Sequence, residues 1–219
     1  MPDTEDAHLN RSVEIIVSRL SEEVSWLSEI LEKIPEIKIS LYNKGNPLKV
    51  FDEKMISKNV GRESSIFFQH IIENYENLSD IMIFCQGHPF DHCPDFINRV
   101  CSKVGEDDNL SFVALKEPYK IENRNDTWRS SGVRTWYGKT TKEKYDHSWK
   151  KLFVGDVCPD NLSVFNCQFI VSKERIRFRS LDFYKRCLSL VDYSLSPPEA
   201  WIFERFYEVF FDGATKDKF

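Results

Sequence analysis

Three apolar, strand-like runs, each leading through a turn into a segment of helical period, restrict this chain to an α/β fold. The runs are residues 13–17 (VEIIV), 37–42 (IKISLY) and 81–85 (IMIFC). After the first, Ser21 and two glutamates precede Val24, Leu27, Ile30, Leu31 and Ile34. That spacing predicts an amphipathic helix capped by Ser21 and ended by Pro35. After the second, the turn 43–47 and an irregular connection over 48–60 lead to Gly61-Arg62-Glu63-Ser64, which opens a helix. After the third, the most apolar and so the expected central strand, a turn over 86–92 leads to a helix over 94–103. Strand–helix alternation predicts a mostly parallel central sheet flanked by helices, with right-handed crossovers.

The second half reads less regularly. Residues 112–115 and 164–171 read as strands, and 141–153, 173–191 and 197–211 as helices. Between them, 117–140 is a long polar stretch holding Trp128, Trp136 and Tyr137, a length that in a compact domain usually serves function. The expected organisation is a loose segment over 1–11, one domain over 12–212 and a polar tail over 213–219. The 17 phenylalanines point first to a Phe-packed core.

Charge and motif content exclude several functions. A net charge of −5 argues against a general nucleic-acid binder. No apolar run approaches the roughly 20 residues of a membrane span. Six cysteines without a signal-peptide pattern point to free thiols in a reducing, cytoplasmic setting. The phosphate-loop, dinucleotide, nucleophile-elbow and zincin patterns are all absent.

In a parallel sheet, ligands bind beyond the carboxyl ends of the strands. Ser18-Arg19, the 42–45 turn and the 86–92 turn fall there. Arg19, Lys44 and Arg62, the last at a helix N-terminus beside Gly61, form a candidate diphosphate cradle, with Ser18 and Gln86 at the same edge. The plain alternative is three solvated surface charges. His88, Asp91 and His92 form a candidate site for a divalent ion; the alternative is a capped turn with surface histidines, and a structural zinc is a third reading. Glu204 is a candidate general base, set against a salt-bridged helix face.

Several stretches carry a resemblance in order and spacing: Tyr42-Asn43-Lys44-Gly45, Asn59-Val60-Gly61-Arg62-Glu63-Ser64, residues 71–78, Gln86-Gly87-His88-Pro89-Phe90-Asp91-His92, residues 169–176 and Phe203-Glu204-Arg205-Phe206. Over roughly 13–211 the chain resembles a family of uncharacterised domains of fungi, bacteria and large algal viruses, similar to GT-A-type glycosyltransferases. The resemblance implies a GT-A-like nucleotide-binding sandwich. It also implies sugar transfer from a nucleotide-diphosphate donor such as a UDP-sugar to a hydroxyl of a glycan or glycoprotein. Mn²⁺ or Mg²⁺ would sit at the diphosphate. The Asp-x-Asp that holds metal in such enzymes is replaced here by Gln86-Gly87-His88. The expected roles are then donor binding by Ser18, Arg19, Lys44, Arg62 and Gln86; metal binding by His88, Asp91 and His92; catalysis by Glu204 and Asp91; and an acceptor platform of Trp136 and Tyr137. The alternative is a non-catalytic nucleotide- or glycan-binding module on the same fold, and a third reading is a metal-dependent hydrolase.

Overall fold

In the computed structural model, every residue of β1 (Val13–Arg19) is buried, so this strand is covered on both faces. The structure describes residues 11–49, 51–106, 110–115, 119–120, 142–155, 157–159, 162–164 and 167–218. Because side chains alternate along a strand, β1 sends Val13, Ile15 and Val17 to one apolar layer and Ile16 to the other. The first layer contains α1 (Trp26–Lys33) and α3 (Phe96–Glu106). The second contains α2 (Arg62–Asn74) and the helices of the second half: α4 (Lys142–Leu152), α5 (Lys173–Arg177), α6 (Leu181–Val191), α7 (Pro198–Phe203) and α8 (Tyr207–Phe211).

The six-stranded sheet has the order β3-β2-β1-β4-β8-β5, where β2 is Lys38–Asn43, β3 Glu53–Met55, β4 Ile81–Gln86, β5 Phe112–Ala114 and β8 Phe169–Ser172. Strands β3, β2, β1 and β4 are mutually parallel. Strand β8 is antiparallel to both β4 and β5, so the sheet is mixed rather than mostly parallel. The reason lies in where the chain returns. Strand β5 ends at the carboxyl edge of the sheet, and Leu115 N donates to Gln168 O at that same edge. A strand that starts where its neighbour stops can only run back against it. Between them, β6 (Tyr119–Lys120) and β7 (Ser163–Val164) form a separate antiparallel pair, so the expected 164–171 strand is two.

Other boundaries differ for local reasons. Helix α1 starts at Trp26, because the Glu22 carboxylate accepts from Leu20 N and Ser21 N and holds those residues in a loop. Within 173–191 the helix breaks, and Ser180 caps α6 by accepting from Phe183 N. Residues 197–211 also break, around Glu204 to Phe206, with no side-chain cap on α8. The polar tail is tied to the body: Lys218 N donates to Leu152 O, and Val154 N to Lys216 O.

The second layer is packed with aromatic rings. Phe84 and Phe169 stack 5.1 Å apart across β4 and β8, and Tyr207 lies 4.6 Å from Phe169. The many phenylalanines thus build the core. All six cysteines are free thiols. No helix of the described residues is long and apolar enough to cross a membrane.

The chain winds from β1 through α1 to β2, then from β3 through α2 back to β4 on the other side of β1. Strand order therefore reverses between β1 and β4, with α1 on one face and α2 on the other. At such a reversal, the carboxyl ends of β1 and β4 are the expected place for a ligand.

Candidate functional site

Ser18 and Gln86 are register partners at that carboxyl edge. Two of the three cations expected beside them are turned inward. Arg19 is buried, and its guanidinium donates to Glu22 O at 2.8 Å, Asn43 Oδ1 at 2.8 Å and Asn46 O at 3.0 Å. It shapes the turn after β2 rather than presenting charge. The Lys44 ammonium donates to Val60 O, Arg62 O and Ser65 Oγ. Its three protons are all engaged, and it fastens the end of β2 to the start of α2. Burial lowers its pKa to about 8, with the Glu63 charge opposing and Arg62 assisting. Both residues therefore hold the turns after β1 and β2 in place, which corrects the expectation of a three-cation cradle.

Arg62 is different. It opens α2 with a left-handed backbone, φ 49°, directly after Gly61 at φ 67°. A non-glycine residue in that region is uncommon, and strain of this kind gathers at functional sites. The guanidinium carbon lies 4.1 Å from the centroid of the Trp201 ring, within cation–π range. Its Nε is 3.4 Å from Glu63 Oε2 but makes no hydrogen bond among the described residues. Gly61 supplies no side-chain cap, so the first-turn N–H groups of α2 receive none from it.

Two steps beyond the Phe84–Phe169 pair along each strand lie Gln86 and Cys167. The Cys167 thiol stands between two carboxylates, 3.8 Å from Glu63 Oε2 and 3.7 Å from Glu204 Oε1. Glu204, on the segment after α7, is buried, and Arg205 Nη1 is 3.9 Å from its other oxygen. Burial pushes the Glu204 carboxyl up to about 7, against the lowering pull of Arg205. A carboxyl that exchanges its proton near neutral pH suits acid–base chemistry. Burial and the neighbouring carboxylates raise the Cys167 thiol well above its usual range, so it is no nucleophile.

The His88–His92 turn addresses the other layer. Phe90 packs edge-on against Trp26 and Phe96, and Trp26 Nε1 donates to Gly87 O at 2.9 Å. His88 Nε2 is 3.5 Å from Asp91 Oδ1, and both side chains are largely exposed. Among the described residues, neither makes a hydrogen bond or ion pair with Arg62 or Glu204. Among the described residues, no three His, Cys, Asp or Glu side chains are grouped to hold a metal ion. An exposed His–Asp pair is fewer protein ligands than a closed metal site carries, and a Mg²⁺ or Mn²⁺ held there would take its remaining ligands from water and donor phosphates. Trp136 and Tyr137 lie outside the described residues.

A family profile for a protein of unknown function, DUF3431, matches residues 15–218. The chain belongs to the DUF3431 family. Every strand of the sheet falls wholly or almost wholly within the matched span, as do Arg62, Cys167 and Glu204. No curated protein and no solved structure matches the chain.

The members of the DUF3431 site that sequence reasoning passed over are Glu63, Cys167 and Trp201. Glu63 stood inside a motif already singled out, and its acidic side chain one residue after Arg62 was the available signal. Cys167 read as a small hydrophobe in a strand. Trp201 gave no signal, because its stacking on Arg62 joins residues 139 positions apart in the chain, as 201 and 62.

Proposed function

We propose that this DUF3431 chain transfers a sugar from a nucleotide-diphosphate donor, such as a UDP-sugar, to a hydroxyl of a glycan or glycoprotein acceptor. The observation that carries the reading is Glu204: a buried carboxyl 3.7 Å from the Cys167 thiol and acted on by the Arg62 charge, near the carboxyl end of β4, with burial pushing its pKa up to about 7. In its ionised form Glu204 removes the acceptor proton as the acceptor oxygen bonds to the anomeric carbon. The bond from that carbon to the diphosphate breaks, and its electron pair leaves with the diphosphate oxygen. Arg62 and the uncapped first-turn N–H groups of α2 meet the charge that develops there. Incubating the protein with UDP- and GDP-sugars, with and without Mn²⁺, and measuring nucleoside diphosphate release tests the reading. Release that depends on Glu204 and Arg62 supports it; none with any donor or acceptor ends it.

One observation favours a second reading, a non-catalytic glycan- or nucleotide-binding module. With Arg19 and Lys44 engaged by backbone, the site sets Arg62 beside two carboxylates and an indole ring. Such a group suits sugar hydroxyls at least as well as a diphosphate. It predicts saturable binding with no nucleotide release.

A further inference from the structure

The grouping of Glu63, Cys167 and Glu204 has chemistry of its own. A thiol has one hydrogen and can donate to one carboxylate at a time. With carboxylate oxygens at 3.8 Å and 3.7 Å, the second is favoured beside sulfur when it carries a proton itself. The neighbours decide which one does. Glu63 has the Arg62 Nε at 3.4 Å, whereas Glu204 has Arg205 Nη1 only at 3.9 Å and is the more buried. Also close by is Tyr207 of α8, whose hydroxyl is tied to Ser64 Oγ at 2.9 Å. Among the described residues, the charged and titratable groups facing the cluster are thus Arg62 of α2, Arg205 of the segment after α7 and Tyr207 of α8, with Lys44 at the end of β2 acting on Glu63.

We infer that Glu63, Cys167 and Glu204 hold one exchangeable proton in common, with Glu63 and Cys167 as positioning residues that keep Glu204 in its acid form. The exchange balances: Glu204 O–H passes its proton to sulfur while the sulfur passes its own to Glu63, and the net charge is unchanged. The thiol is neither oxidised nor alkylated. The inference rests on the proposed transfer only for the use made of Glu204. If both hold, Glu204 sheds its proton inward through Cys167 to Glu63, takes the acceptor proton as base, and Glu63 gives up its extra proton to solvent before the next turnover.

The test is a carboxyl-carbon NMR titration of the full chain labelled in glutamate, with Glu204 assigned from its loss in E204Q. The wild-type Glu204 signal should titrate near 7. Glu63→Gln should lower that midpoint by on the order of one pH unit. In a Cys167→Ala background the response to Glu63→Gln should fall to less than half, and Cys167→Ser should retain it. An unchanged Glu204 midpoint in Glu63→Gln, or full coupling in Cys167→Ala, overturns the inference. The spectra also report whether each variant is folded. Nucleotide release is assayed separately, so proton sharing without turnover, or turnover without proton sharing, identifies which of the two ideas failed.

Discussion

Arg62 lays its guanidinium 4.1 Å above the Trp201 ring while its own backbone sits in the left-handed region. The stack joins the first turn of α2 to α7 and fixes the one expected donor-site cation that no backbone carbonyl engages among the described residues. Comparing two truncations isolates the strain. Arg62→Gly and Arg62→Ala lose the same contacts, but only alanine keeps a Cβ in a left-handed turn. Arg62→Gly should therefore be the more stable by about 1 kcal/mol, the reverse of the order inside an ordinary helix. Chemical denaturation of the two variants checks this.

Glu204→Gln should stabilise the fold at pH 8 and leave it unchanged at pH 5. Burial raises the folded carboxyl from 4.5 to about 7. The folded state therefore holds its proton more tightly than the unfolded chain, and stability is lost as pH rises between those values. Above that window the wild type carries a poorly solvated carboxylate that the glutamine lacks, a difference on the order of 2–3 kcal/mol. Thermal melts at the two pH values measure it.

A second buried network sets acid sensitivity. Glu14, in the middle layer of the sheet, accepts from Ser40 Oγ at 2.6 Å, Lys38 Nζ at 2.9 Å and Ser79 Oγ at 2.9 Å. His70 of α2 stands 3.6 Å from it through Nε2 and 2.9 Å from the Tyr42 hydroxyl through Nδ1. Burial holds the imidazole well below its ordinary 6.5, against the attraction of Glu14. A depressed folded pKa on histidine means the unfolded chain binds the proton first, so stability falls as pH drops below about 6.5. The Glu14 carboxyl is raised by burial but lowered overall by Ser40, His70, Lys38 and Ser79, and it also loses stability on acidification. His70→Gln should remove up to about 2 kcal/mol of the stability lost between pH 7 and pH 5. Equilibrium unfolding across that range is the measurement.

Gly45 tests whether the β1 and β2 turns meet as described. A Cβ at this position would lie 1.7 Å from the Leu20 carbonyl oxygen, which is backbone and cannot swing aside. Gly45→Ala should destabilise by about 3 kcal/mol or more. A melting temperature within a degree of wild type would contradict the close approach.

Much of the first half was legible because period and burial agree there. The runs 13–17, 37–42 and 81–85 are the three long strands, and Gly61 to Ser64 does open α2. Strand β3 was hidden in the 48–60 connection, since three residues make no periodic signal. The direction of β8 was hidden because strand sense depends on which edge the chain returns to, and residue alternation does not record that. The site was half legible for a similar reason. Arg62 and Glu204 could be singled out by type and position. That Arg19 and Lys44 turn onto backbone carbonyls is set by the turns at 43–46 and 58–62, which composition does not encode. The His88–Asp91 turn sits at the expected edge, but the burial of Phe90 against Trp26 aims it at the other layer.

The most direct test of the account is the pH dependence of nucleoside diphosphate release from a sugar-nucleotide donor, for wild type and Glu204→Gln side by side. The account predicts a wild-type kcat/KM that rises through about pH 7 as Glu204 ionises, and a loss of roughly 100-fold or more in the variant at pH 8. A wild-type profile that is flat across that range, or a variant that turns over as fast as wild type, contradicts it.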